Sequence, residues 1–501
     1  MPLRKQDGCM MSRFLYGQIV FAGEMLSYRG IIMRAPNRSS GANTAEIAIA
    51  TIAVPPIDSN TSLQGDQPAV APVRVDERIF SLDVIRGFGL LGILLMNICM
   101  FGLPEAAYSN PVPAGGATGW NLFTWCLMSV LADGKMRAIF SLTFGASVYL
   151  LIDRLSRKGA ASEAADIHYR RMLWLLLFGL IHAYFIWGGD ILFPYAMMGL
   201  VLYPLRKLSP RVLLTGAAIL VLIMTGEALR YYYHVKNLHV AYLQIQVAEK
   251  EGKKLTSAQE EKKTEWEQAV KDFSPSAEDL KTETEAHLGS YFQLFAFRAK
   301  DVYRFHSYPI YAPFPWFDIL SMMLIGMALL KLGVLSGSYS SKFYLWMALL
   351  SFAIGLPAHS WGVWWCIKQQ FSLDSWNFTG LTYEIGRFTA FGYIAIILLV
   401  IKSGILRPVT RTLACVGRMA FSNYILTSLL CTSIFEGYGL GLFGRLQRFQ
   451  IYGIVLLVWA VILIMSPIWL RHFHFGPLEW VWRSLTYWKK QPFRVPDRAV
   501  I

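Results

Sequence analysis

The most constraining stretch of the chain is Met172 to Tyr203, MLWLLLFGLIHAYFIWGGDILFPYAMMGLVLY, in which two apolar runs meet at Gly188-Gly189. The first run carries His182 and the junction carries Asp190. An ionisable side chain is costly in a run long enough to enter a bilayer, so its presence there points to function or to a dedicated partner. The whole chain agrees with a membrane setting. Of its 501 residues, 54% are hydrophobic and 14% aromatic, a composition too apolar for ordinary soluble domains. The expected fold class is all-α, a polytopic integral membrane protein.

Charge sharpens this reading. The net charge of +14 sits in the N-terminal tail, short loops and the C-terminal tail, which is the positive-inside pattern and gives no reason to expect nucleic acid. The six cysteines show no C-x-x-C spacing and lie mostly in apolar runs. They read as core residues, with neither a metal site nor a disulfide framework implied.

Five units follow in order. Residues 1–77 read as a disordered cytoplasmic tail. Residues 78–231 form a first membrane domain with spans at Val84–Leu103, Met136–Ile152, Met172–Trp187, Ile191–Leu205 and Val212–Tyr231. Residues 232–312 are a polar extracytoplasmic insert, read as a small helical domain or hairpin over the outer mouth, or else as an acceptor-binding element. Ser257 with Glu260 has capping-box spacing there, and Ser274-Pro275 suits another helix start. Residues 313–490 form a second membrane domain with spans at Phe314–Leu332, Phe343–Trp365, Leu381–Ile401, Leu413–Phe435 and Ile451–Leu470, and 491–501 are a cytoplasmic tail. Trp120–Leu131 is short enough to be interfacial or re-entrant. Ten spans with both termini cytoplasmic satisfy the loop charges, except that Arg445 and Arg448 then fall outside.

The intramembrane polar groups sort into two layers. Asn97, His182, Asp190, Glu227, Asp318, His359, Glu384 and Arg387 lie toward the outer face, and Asp83, Arg86, Arg418, Asn423, Glu479 and Arg483 toward the inner face. Two layers imply one through-going cavity or two facing vestibules. If the diglycine turn folds back, Asp190 can orient His182 as a general base. Alternatively, His182 bonds a neighbouring helix and Asp190 caps the returning one. Glu384 and Arg387, three apart, can simply neutralise each other. Arg86 and Arg418, near inner span ends, have forks suited to phosphate, or they snorkel to the interface.

The segment RIFSLDVIRG at Arg78–Gly87, followed by GILLMN at Gly92–Asn97, resembles the bacterial YeiB-like membrane proteins, the domain-of-unknown-function 418 family. FSLTFG at Phe140–Gly145, GLIHAYFIWGGDILFPY at Gly179–Tyr195, and the C-terminal blocks Gly417-Arg418, Asn423-Tyr424, Gly439–Phe443 and Gly476–Arg483 carry the same resemblance across most of 78–490. The first helix is also similar to transmembrane acyltransferases, those of bacterial surface polysaccharides and the heparan-glucosaminide acetyltransferases. In the first group an Arg precedes a His needed for transfer by eleven positions. Here Asn97 stands eleven after Arg86, and no His lies between Asn97 and His168. The catalytic pair expected for this chain is therefore His182 with Asp190. The resemblance implies acyl-CoA as donor substrate on Arg86, Arg418 and Arg483, no bound cofactor, and an extracytoplasmic glycan or lipid acceptor near Asn97, His359, Glu384 and Arg387. A transporter or flippase using midplane charges is the competing expectation.

Overall fold

The computed structural model describes residues 78–160, 162–311 and 314–495. The expected tail at 1–77 and the end of the expected tail at 491–501 lie outside them. The helices are α1 (Phe80–Gly102), α2 (Ala106–Ser109), α3 (Gly119–Leu131), α4 (Lys135–Arg157), α5 (Ala164–Phe185) and α6 (Leu192–Leu205). Then follow α7 (Pro210–Lys250), α8 (Ser257–Phe273), α9 (Ala277–Leu288), α10 (Tyr291–Tyr311), α11 (Phe314–Lys331) and α12 (Ser341–Lys368). The last six are α13 (Leu373–Gly386), α14 (Thr389–Ser403), α15 (Arg407–Arg418), α16 (Ala420–Phe435), α17 (Arg448–His472) and α18 (Pro477–Tyr487). Among the described residues the only β contact is an isolated bridge between Phe473 and Arg494.

Among the described residues six helices, or helix pairs running on as one, are long and apolar enough to cross a membrane, and the bent pair α15–α16 would make seven. Their packing separates centre from periphery. The apolar window of α1 is 72% buried, whereas that of α7 is 22% and those of α12 and α17 are 28% buried. Exposed Leu222, Trp346, Leu456 and Ile464 on the outer three suit contact with lipid. α1 is locked by close approach: a Cβ on Gly87 would lie 2.0 Å from Leu413 O, and one on Gly417 would lie 1.9 Å from Asp83 O. Small residues at a crossing let two backbones pack where lipid supplies no hydrophobic drive.

Several expected spans are interrupted, and each interruption is chemically closed. In an apolar medium freed backbone groups must find partners. The expected short helix at Trp120–Leu131 runs on through Ala132–Gly134 into α4, so that Gly119–Arg157 forms one candidate span. At that break, the Leu131 carbonyl accepts from Tyr393 Oη at 2.9 Å and the Ser129 carbonyl from fully buried Lys135 Nζ at 3.1 Å. The span expected at Leu381–Ile401 is two helices, α13 and α14, broken at Arg387-Phe388. The one expected at Leu413–Phe435 bends by 84° between α15 and α16. There Glu479 Oε1 accepts from Phe421 N and Ser422 N at 2.7 and 3.1 Å, and Ser422 Oγ in return accepts from Leu478 N at 3.0 Å. Glu479 is thus the cap of a helix start.

The backbone does not break at the expected insert boundary after residue 231. α7 continues for 41 residues, about 60 Å at helical rise, from the apolar bundle into the insert. The caps lie close to the expected ones but not on them. Thr256 with Gln259 forms the capping box of α8, and Ser276 with Asp279 that of α9. Arg448, expected in a loop, is a buried first residue of α17 whose guanidinium bonds the Ala107 carbonyl. That removes it from the loop-charge count, while Arg445 remains exposed. The insert is tied to the bundle at several points. His287 Nδ1 lies 2.9 Å from Glu436 Oε2 with its ring stacked on Phe443, Glu105 N donates to Glu283 at 2.8 Å, and Arg298 donates to the Ile186 carbonyl at the end of α5 at 2.8 Å.

Candidate functional site

The turn between α5 and α6 folds back. His182 Nδ1 lies 2.8 Å from Asp190 Oδ1, and both side chains are buried. The second carboxylate oxygen accepts from Phe193 N at 2.7 Å, so Asp190 also caps α6. The close approach is possible because residue 179 is glycine: a Cβ there would lie 2.4 Å from Phe193 N and 3.0 Å from Asp190 Oδ2. His182 Nε2 meets Ser428 Oγ of α16 at 2.9 Å. Because the carboxylate accepts from Nδ1–H, a neutral His182 presents Nε2 as the nearer acceptor to the Ser428 hydroxyl, which also reaches the Tyr424 carbonyl at 3.3 Å. Tyr424, one turn earlier on α16, holds the same turn: its Oη accepts from Ile191 N at 3.2 Å and donates to the Gly189 carbonyl at 3.4 Å.

Two cavities flank this cluster. One, of about 180 Å³, is lined by six arginines (Arg78, Arg86, Arg154, Arg171, Arg418 and Arg483) against two carboxylates, Asp83 and Glu479. We call it the basic cavity. The other, of about 120 Å³, is lined by Tyr108, Trp187, Phe305, Trp316 and Tyr383 together with Asn97, Glu105, Asp133, Arg137 and Asp190. We call it the aromatic cavity. They approach each other but share no lining residue. On the first turn of α6, Leu192 and Tyr195 face the basic cavity, while Ile191 and Pro194 face the aromatic one. On α4 the change from Arg137 to Phe140 takes about 5 Å of helix rise. Tyr195 Oη, hydrogen-bonded to Ser141 Oγ at 2.6 Å, braces this partition.

The arginines of the basic cavity are not equivalent. Arg86 is committed to Asp83 at 2.9 Å, to Ser147 and to the Gly417 carbonyl at 3.3 Å. Arg171 and Arg483 stack on Trp482 and Phe475, at 3.8 and 4.6 Å from the ring centroids. Neither guanidinium has a hydrogen bond or ion pair among the described residues, although the Arg171 carbonyl accepts from Trp482 Nε1 at 2.9 Å. Among the described residues the Arg418 guanidinium reaches only the His474 carbonyl, at 3.5 Å. A guanidinium with its face on an aromatic ring and its N–H edge uncommitted is prepared for an anion, and for phosphate in particular.

The expected residues therefore divide. His182 and Asp190 meet. Arg86, Arg418 and Arg483 share the basic cavity, and Asn97 lines the aromatic one. Glu384 and Arg387 face neither cavity: Arg387 is ion-paired with both Glu384 and Asp318, and Asp318 also binds Arg137. His359 is buried beside Gly386 and edge-on to Tyr383, again outside both cavities. Asn423 is spent on the Val416 carbonyl and Ser466, at 3.2 and 3.0 Å. Sequence reasoning missed Ser428, Arg171 and Tyr424. Tyr424 lay in a recognised block, whereas Ser428 is 246 residues from His182 and carries no local signal.

Comparison with known proteins agrees with a family reading across the chain. The model of the family described as protein of unknown function (DUF418) matches residues 329–489. The uncharacterized protein YeiB of Escherichia coli (strain K12) is 32% identical over 425 residues, covering 82% of this chain and 96% of that one. The uncharacterized protein YxaH of Bacillus subtilis (strain 168) is 30% identical over 442 residues, covering 85% and 98%. No solved structure matches. With the helical bundle and its apolar spans, these likenesses identify the chain as a bacterial membrane protein of the DUF418, YeiB-like family.

Proposed function

We propose that this protein transfers an acyl group from a coenzyme A thioester in the basic cavity to a hydroxyl or amine in the aromatic cavity, with His182 as general base and Asp190 orienting it. The observation that carries the reading is the pair of chemically opposite cavities flanking a buried histidine–carboxylate pair. Arg171, Arg418 and Arg483 bind the donor's phosphates, and Arg86 acts chiefly through Asp83 as scaffold. Asn97, Asp133 and Arg137 address the acceptor, a glycan or lipid headgroup. An alcohol is a poor nucleophile until a base removes its proton, and His182 is the buried imidazole that touches both Asp190, which lines the aromatic cavity, and Tyr424, which lines the basic one. His359, Glu384 and Arg387 take no part in substrate contact.

This reading uses a ten-span topology in the inner membrane, with α5, α6 and α11 completing the more apolar spans and both termini cytoplasmic. The basic cavity then opens inward, as the charge of the loops at 154–171 and 206–211 favours. The test is transfer by the purified protein in nanodiscs. His182→Gln retains thermal stabilisation by a coenzyme A thioester but loses transfer by about 10²–10⁴-fold, the range of a general base. Failure of every thioester to stabilise the wild type sinks the reading. One observation favours a second reading, a transporter: interrupted helices surround two separate cavities, as in alternating-access proteins. Substrate-driven exchange of solvent accessibility between Cys substituted at Asn97 and at Ser147 would favour transport.

A further inference from the structure

The partition poses a chemical problem that His182 alone does not solve. If donor and acceptor occupy different cavities, the acyl carbon must pass a layer containing Tyr195, Tyr424 and the first turn of α6. Ser428 lies within that layer. Its hydroxyl is 2.9 Å from His182 Nε2, whose other nitrogen is 2.8 Å from Asp190. Serine, imidazole and carboxylate in this order and at these distances form the arrangement in which a base activates an alcohol nucleophile. Ser428 is also placed between the cavities. Tyr424, one helical turn away on α16, lines the basic cavity, and Asp190 lines the aromatic one.

Resting on the acyl-transfer reading, we infer that Ser428 is a nucleophile that carries the acyl group across the partition as a covalent ester. In the first half-reaction Ser428 Oγ bonds the thioester carbonyl carbon while His182 Nε2 takes the hydroxyl proton. The C–S bond breaks, and the proton leaves with the thiol sulfur. In the second half-reaction the acceptor's oxygen or nitrogen bonds the same carbon and its proton passes to His182. The Ser428 ester C–O bond breaks, and the proton returns to Oγ. Atoms and charges balance with no further reactant. Ser428 is sealed from both cavities, so the Tyr424 ring, held by Gly189 and Ile191, swings aside to admit the thioester. Asp190 holds its imidazole partner throughout, because Phe193 N fixes the carboxylate independently.

The experiment uses the full chain in nanodiscs. Acetyl-, succinyl- and palmitoyl-coenzyme A are first ranked by thermal stabilisation, and each stabilising thioester is then supplied with a radiolabelled acyl group and the protein denatured in acid. Label is expected on the wild-type chain, resistant to neutral hydroxylamine but released by alkaline hydroxylamine, as an oxygen ester is. Ser428→Ala loses the label while keeping thioester stabilisation. Ser428→Cys keeps it, now released at neutral pH, because the link has become a thioester. Stabilisation without label, or label that survives in Ser428→Ala, overturns the serine carrier and leaves direct transfer standing. Absence of stabilisation by any thioester removes the acyl-transfer reading itself.

Discussion

Two groups of buried charge in this protein look alike in the sequence and differ in what their neighbours have done with them. Around the breaks of α3–α4 and α13–α14, Arg137, Asp318, Glu384 and Arg387 are wired together by ion pairs. In the basic cavity, Arg171 and Arg483 rest on aromatic faces without a carboxylate contact. In the first group each charge is the reason another can be buried, so the group serves the fold. In the second, the desolvation cost is left partly uncompensated by the protein. An unmet cost of that kind is what a ligand of opposite charge can offset.

Removing single charges breaks or sharpens this contrast. The largest effect is expected for Asp318→Asn, which takes from Arg137 its carboxylate partner and leaves Arg387 with Glu384 alone. A loss of about 3–5 kcal/mol is the usual consequence of opening a buried pair, read as a collapse of the detergent-solubilised melting temperature. A variant of near wild-type stability would show that the network is not structural. Next is Glu479→Gln. Although it makes the cavity more basic, it removes a charge-assisted cap from α16 and costs about 1.5–3 kcal/mol. If it instead stabilised the fold, Glu479 would belong with the cavity and not with the helix. The smallest stability effect is expected for Arg483→Gln, where the lost ring contact is worth about 0.5–1 kcal/mol. Its thioester affinity should nevertheless drop tenfold or more, measured by the ligand concentration needed for half-maximal thermal shift. Equal affinity in Arg483→Gln and wild type would remove the arginine from the donor site.

What could be read from the sequence follows from how local the signal is. The Met172–Tyr203 hairpin was legible because an apolar run, a diglycine and two ionisable groups lie within one window. The backbone contact that folds Asp190 onto His182 is set by Gly179 in the same window. The helix breaks were not legible. Continuous hydrophobicity from Leu381 to Ile401 looks unbroken whether or not Arg387 leaves the helix for Asp318. Arg86 and Arg171 are equally basic in the sequence, and only the fold reveals that one has Asp83 beside it and the other has none. Ser428 was invisible for the same reason: its partner sits on a helix far away in the chain. Arg448, by contrast, was misplaced by a rule about loops. Loop rules fail when a charge at a helix start turns inward to a carbonyl.

The partition between the cavities has a consequence for the cell as well as for chemistry. A bacterial membrane is also a capacitor, and any continuous wet passage through a protein would discharge it. On the acyl-transfer reading, an acyl group handed on a side chain through the layer of Tyr195, Tyr424 and the start of α6, which lies between the two cavities, would move carbon across the membrane with no accompanying ion, and the electrical insulation would survive each turnover.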